Sequence, residues 1–394
     1  MNSIKFHTEF YKFHKFFTKL KLHINHFQLR NLVCCGSNVS KGVYYPTSCF
    51  HDYNLEAVHT NSFHDSPDEE HSPYFKVNRL MPDNTVLEKS QSMKLDCLID
   101  SRVLSSNSNN RISTLSCTDK YLACGTYGES EGGFVLSDIE DPDNVKTIGD
   151  IYLSEAITNH IIVNEHNSEL VISSNDKKLR FVNISNLITS NTINLPFAIN
   201  CASMNKHNLN EIFLVGDDLK SYIIDKRIKH DCINRAIAFE GHHDFGFSCD
   251  WSSEDENLLL TGNQDSCVKL WDKRKSDESM FSWSGSLGSS NINNGGPVRN
   301  CKFSNNGEFI TWAESLDHVG IIQVEDLNSI ENDKTLSRIQ SIDFIGKCVG
   351  LAFAPIENGY GEQLIIGVND CPLGGILSYK LESRQKTLDF DFHF

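Results

Sequence analysis

Residues 239–274 read FEGHHDFGFSCDWSSEDENLLLTGNQDSCVKLWDKR. The stretch breaks into short strand-like runs. Phe247, Cys249 and Trp251 alternate in one; Leu258 to Thr261 form the next, and Cys267 to Trp271 a third. Turn-forming residues separate them, SSEDEN at 252–257 and GNQD at 262–265.

Four positions in this stretch resemble the signature of the WD-repeat family. They are Gly241-His242, Thr261, Asp265 and Trp271-Asp272. In that family the His, Ser/Thr, Asp and Trp form one buried hydrogen-bonded chain, and the resemblance implies the same for His242, Thr261, Asp265 and Trp271. The chemistry explains the set. A neutral imidazole donates at one nitrogen and accepts at the other, so it can link a carboxylate to a hydroxyl. That hydroxyl can in turn accept from an indole N–H. A buried network left half made is strongly unfavourable, so the four residue types come together.

Weaker copies occur along the chain. SNDKKLRFVN (174–183) carries Asp176 in its turn, and GDDLKSYIIDKR (216–227) carries Asp218. CGTYGESEGGFVLSD (124–138), CKFSNNGEFITWAESLDHVGIIQVED (301–326) and a last copy at 348–382 complete six. The closing residues 138, 183, 225, 272 and 326 are spaced by 45, 42, 47 and 54, near the 40–45 of WD repeats. A seventh unit is expected from residues 28–60. The fold expected is all-β, a seven-bladed β-propeller of residues 28–394, with six further blades over 111–382. A closed ring needs its ends joined, and TLDFDFHF (387–394) alternates like a strand. It is expected to complete the first blade as a clasp.

Outside the blades, Phe6, Phe10, Phe13, Phe17, Leu20, Ile24 and Phe27 fall at steps of three and four, one stripe of a helix. Lys5, Lys12, Lys15, Lys19 and Lys21 lie mostly outside that stripe. Residues 1–27 therefore read as a basic amphipathic helix or a disordered extension, with three roles open: packing on the propeller, lying on a membrane surface, or targeting. Residues 61–110 read as an insertion between the first two blades, and 285–297 as a loop.

The net charge is −16 over 394 residues. Because the first thirty residues are basic, the remainder is more acidic still, which argues against a nucleic-acid partner. Thirteen cysteines are scattered with no CxxC and no secretory signal, as expected of reduced thiols in the cytoplasm or nucleus. No apolar run reaches the length of a membrane-spanning helix.

His242-His243-Asp244 invites a metal reading, but His242 is already committed by the repeat signature. No HExxH, GxSxG or P-loop occurs. No catalytic, cofactor-binding or metal residues are assigned, and a non-catalytic scaffold binding proteins or peptides is the expected function. Trp271-Asp272-Lys273-Arg274 also resembles the WDxR box through which some WD-repeat proteins dock on cullin–RING ligase adaptors. That resemblance would make Arg274 a partner-binding residue offering a bidentate fork to an acidic surface. A peripheral membrane adaptor working through residues 1–27 is the third reading.

LRNLV (29–33), SNDKKLRFVN, GHHDFGFSCDW with LLLTGNQDSCVKLWDKR, and GGPVRNCKFSNNGEFITWAES (295–315) resemble a set of fungal and plant WD-repeat proteins. That resemblance implies a propeller and a cytoplasmic or nuclear setting, and it implies no activity.

Overall fold

The computed structural model describes residues 9–18, 20, 22, 31–49, 74–80, 111–128, 131–141, 144–154, 156–228, 232–284, 296–315, 317–327, 339–356, 361–370 and 374–381. These residues form seven antiparallel sheets, the blades of a seven-bladed β-propeller. The strand Tyr11–Phe17 is β1. Blade 1 holds Cys34–Cys35 (β2), Val43–Cys49 (β3) and Tyr74–Leu80 (β4). Blade 2 holds Arg111–Cys117 (β5), Tyr121–Tyr127 (β6), Glu131–Asp138 (β7) and Lys146–Ser154 (β8). Blade 3 holds Thr158–Asn164 (β9), Glu169–Ser174 (β10), Lys178–Asn183 (β11) and Thr189–Asn194 (β12).

Blade 4 runs through Ile199–Met204 (β13), Glu211–Gly216 (β14), Ser221–Asp225 (β15) and Ile237–Phe239 (β16). Blade 5 contains the quoted stretch, as Gly246–Trp251 (β17), Leu258–Asn263 (β18), Cys267–Asp272 (β19) and Phe281–Ser284 (β20). Blade 6 is Val298–Phe303 (β21), Phe309–Glu314 (β22), His318–Gln323 (β23) and Gln340–Asp343 (β24). Lys347–Pro355 (β25), Glu362–Asn369 (β26) and Gly375–Leu381 (β27) make blade 7, with β1 as its fourth strand.

The second strand of each blade reads as a continuous apolar run because a neighbouring blade covers each of its faces. LLLTGN (β18), EIFLVG (β14) and FITWAE (β22) are buried almost throughout. The fourth strands alternate and stay half exposed, as in QSID (β24). The core is accordingly a ring of junctions. Phe213, Phe239, Trp251 and Trp271 fill the space between blades 4 and 5, and Trp312 with Leu270 and Ile322 that between blades 5 and 6. Gly262 marks how close the blades come. A Cβ there would stand 2.4 Å from Val298 Cγ1 of blade 6.

The N-terminal segment differs from the expectation. Tyr11–Phe17 is a strand, not part of a helix, and pairs along β27 from Tyr11↔Leu381 to Phe17↔Ile376. Tertiary pairing overrides the three-four stripe here: Tyr11 fits between blades 6 and 7, in contact with Phe309 and Phe353. One clasp thus comes from the N-terminal side and completes the last blade. Residues 387–394, expected to close the first, lie outside the described residues, as do residues 1–8 and 23–30.

Gln340 of blade 6 fixes the entry of β1. Its Oε1 accepts from the N–H groups of Phe10 and Tyr11 at 2.8 and 2.9 Å, and its Nε2 donates to the Tyr11 carbonyl at 2.6 Å. Tyr74–Leu80, read above as part of an insertion, is the third strand of blade 1 and pairs in full register with β3.

Candidate functional site

The residues singled out in the repeat come together inside blade 5. Gly241 adopts φ 142°, which glycine reaches without strain, and the Trp271 ring lies beneath it. That turn drops His242 onto the sheet edge. Its Nδ1 lies 2.9 Å from Asp265 Oδ2, and its Nε2 lies 2.8 Å from Thr261 Oγ1. The Trp271 indole N–H donates to the same Thr261 oxygen at 2.8 Å.

The roles follow from what each atom can do. Nδ1–H donates to the carboxylate, and the threonine hydroxyl donates to Nε2 while accepting from the indole. Asp265 also accepts from the backbone N–H groups of His243 and Cys267, at 2.8 and 3.0 Å. Burial pushes the His242 imidazole below its ordinary value, more than the Asp265 carboxylate raises it. Burial alone would raise the Asp265 carboxyl, but His242 and the two backbone donors outweigh it and leave it low.

In the weaker copies the turn Asp persists with other donors. Asp176 is paired by Arg180, and Asp218 accepts from the Tyr222 hydroxyl at 3.0 Å. The residue after the turn Asp is left-handed in blades 3 and 5, at Lys177 (φ 66°) and Ser266 (φ 63°).

A second set of polar residues surrounds the axis, and sequence periodicity did not reveal it. Six inner strands, one in each of blades 2 to 7, carry a β-bulge at the equivalent place. The bulged residues are Ser113, Asn159, Asn200, Phe247, Arg299 and Val349. A bulge bends a strand and re-aims one side chain, as the crowded inner ring of a propeller requires.

In blades 2 to 4 the re-aimed side chain donates to the next inner strand, to the carbonyl just before its bulge. Ser113 reaches Thr158 O; Asn159 reaches Ile199 O at 2.9 Å, and Asn200 reaches Gly246 O at 2.9 Å. Between blades 5 and 6 the link is a guanidinium stacked on a ring, Arg299 lying 4.2 Å from the Phe247 centroid. In blade 1, Asn31 bonds to Thr114 Oγ1 and Leu115 O, both at 3.3 Å.

Further along the same strands a second tier repeats the stitching. Ser203 Oγ accepts from Trp251 N–H at 3.0 Å, and Asp250 Oδ2 from Phe303 N–H at 2.9 Å. Burial pushes the Asp250 carboxyl up although Lys302, the Phe303 N–H and the Ser203 hydroxyl, which donates to Asp250 Oδ1 at 3.2 Å, all oppose this. The visible signal for the first tier is small: an Asn at the second position of TNHIIVN (β9) and INCASM (β13), Asn159 and Asn200.

Within this wall lies a cavity of about 650 Å³, lined by inner-strand residues including His160, Cys201, Cys249, Arg299 and Lys302. Among the described residues, no group of three or more His, Cys, Asp or Glu side chains is placed to hold a metal ion.

Arg274 stands at an exposed corner, away from the channel. Its Nε and Nη2 grip its own Asp272 at 2.9 and 2.6 Å. Arg227 grips Asp225 in the same manner on blade 4, at 2.9 and 2.5 Å.

Blades, bulges and stitched inner strands together define the chain as a seven-bladed β-propeller. No protein-family model matches it, and no curated protein matches its sequence.

Proposed function

We propose that the chain is a non-catalytic protein-interaction scaffold, a WD-repeat propeller that binds a protein or short peptide on one loop face. One observation carries this reading. The residues that look chemical in the sequence are bonded to one another inside blade 5, while large apolar side chains stand in solvent on neighbouring loops. Leu219, in the turn from β14 to β15, and Phe245, just before β17, are 49% and 42% exposed.

Both loops lie at the same end of adjacent blades, and a Lys220–Glu240 ion pair of 2.5 Å ties them together. Asp218, Glu240 and Asp244 flank the two apolar groups, which suits a partner presenting an apolar side chain among basic ones. Ten of the cysteines, Cys201 and Cys249 among them, are free thiols, in keeping with a cytoplasmic or nuclear setting.

The test is affinity capture with the wild type and with a Leu219→Asp/Phe245→Asp double variant of matched thermal stability. A reproducible partner kept by the first and lost by the second supports the reading. A partner held equally by both removes this face, and no reproducible partner at all removes the scaffold.

Adaptor docking through Arg274 is the second reading, favoured by its 72% exposed side chain. Because Arg227 repeats the corner, docking must distinguish the two. Arg274→Ala should release a ligase adaptor that Arg227→Ala retains, and equal behaviour of the two variants would leave the corner as a brace.

A further inference from the structure

Cys201 follows the bulged Asn200 on β13 and faces blade 5, its Sγ 3.7 Å from the Cys249 carbonyl. Cys249, on β17, faces back to blade 4, its Sγ 3.7 Å from the Phe213 carbonyl. The two thiols therefore both point into the junction between blades 4 and 5. His160, on the inner strand of blade 3, stands beside Cys201 from the other side. All three residues line the cavity, with Cys201 and Cys249 6% and 5% exposed.

We propose that Cys201 and Cys249 form a reversible redox site, in which a hydroperoxide entering the channel oxidises Cys201 and Cys249 then closes a blade-to-blade disulfide. In the first step the Cys201 sulfur attacks the terminal peroxide oxygen. An S–O bond forms and the O–O bond breaks, and the leaving alkoxide or hydroxide takes the proton that the Cys201 thiol gives up and becomes an alcohol or water. In the second step the Cys249 sulfur attacks the sulfenic sulfur of Cys201. An S–S bond forms, the S–O bond breaks, and hydroxide leaves as water with the proton that Cys249 gives up. Two thiols lose two electrons to one peroxide, and any dithiol reductant reverses the change.

The environment favours Cys201 as the attacking sulfur. The Cys249 hydrogen bond and the neighbouring His160 hold its thiol well below the ordinary value in spite of burial. Burial holds Cys249 well above, so the attack on peroxide falls to Cys201. Cys34 and Cys117 also touch, across the junction of blades 1 and 2. There the Cys34 thiol and burial hold Cys117 well above its ordinary value. That pair is a comparison within the same cavity, expected to oxidise more slowly.

The inference does not depend on the scaffold reading, since it can succeed or fail with no partner present. The reduced full-length protein would be treated with hydrogen peroxide in native buffer, alkylated, digested without reductant and mapped by mass spectrometry. The expected first product is the Cys201–Cys249 cross-link, lost again on adding dithiothreitol, with a rise in melting temperature while it persists. Cys249→Ser should leave Cys201 as a sulfenic acid that dimedone labels, and His160→Phe should slow its appearance about tenfold or more. If Cys201 stays alkylatable while Cys34 or Cys117 oxidises, the proposal is overturned. It is equally overturned if the cross-link forms only in denaturant. The wild-type map decides the matter even where a variant fails to fold.

Discussion

The Tyr11 hydroxyl donates to a Glu362 carboxylate oxygen at 2.7 Å, joining residues 351 positions apart in the chain. Tyr11 belongs to the strand that closes the ring, and Glu362 opens the second strand of blade 7. The other Glu362 oxygen accepts from the Asn305 N–H of blade 6 at 2.9 Å. One buried carboxylate therefore ties the clasp, the last blade and the preceding blade together. Burial raises its carboxyl above the ordinary value although both bonds oppose this.

Removing the Tyr11 hydroxyl should consequently destabilise the protein. Tyr11→Phe leaves one buried carboxylate oxygen without its donor, which costs roughly 1–3 kcal/mol. In a Glu362→Gln background the same change should cost less, because no buried charge is left behind. A double-mutant cycle by urea unfolding measures the difference, and equal costs in both backgrounds would refute the coupling.

Thr261 is the hub of the blade 5 network, since one oxygen serves both His242 and Trp271. Thr261→Val keeps the shape and strands a ring nitrogen and an indole N–H. Roughly 2–4 kcal/mol should be lost, while Thr261→Ser should lose much less. Thermal or chemical unfolding of the two variants provides the check.

The pH dependence follows from the same network. The His242 imidazole is held below its ordinary 6.5, so in acid the unfolded chain takes up a proton that the folded chain refuses. Its contribution to stability is full above about pH 6.5 and falls as the pH drops toward the folded value, by at most about 1.4 kcal/mol per pH unit. Asp265, also held low, adds a loss of the same sign further into acid, below its unfolded value near 3.8. Unfolding free energies of wild type and His242→Gln should therefore converge as the pH falls from 7.5 to 5. A constant difference across that range would exclude a depressed His242.

In the inner ring, Asn200 donates through Nδ2 to the Gly246 carbonyl and to Asp217 Oδ1, both at 2.9 Å. Asn200→Ala removes the two bonds. Asn200→Asp should be worse by roughly 1–3 kcal/mol, because it turns a carboxylate toward two acceptors. If the aspartate variant proves as stable as the alanine variant, the side chain does not stitch blades 4 and 5.

Close approach gives a last prediction. The methyl of Gly262→Ala would fall against Val298, so roughly 1–3 kcal/mol should be lost. Val298→Ala in the same chain should recover part of it, which a melting series can show.

The amino-acid sequence by itself determined the repeating unit. Alternating and continuous apolar runs, turn residues at regular intervals and the spacing of residues 138 to 326 are local properties, and they set strands, turns and the propeller architecture. The partners of His242 were legible for a related reason: Thr261, Asp265 and Trp271 all lie within thirty residues, inside one meander. What the sequence misjudged lies between units. Tyr11–Phe17 carries a helical stripe, yet it becomes a strand because the unpaired edge of β27 and the space between Phe309 and Phe353 are available only in the assembled ring. The bulges at Ser113, Asn159 and Asn200 are invisible for the same reason. Their cause is the crowding of seven inner strands around one axis, and each bond they make ends on a blade some forty residues away, at a distance in space that no local pattern encodes.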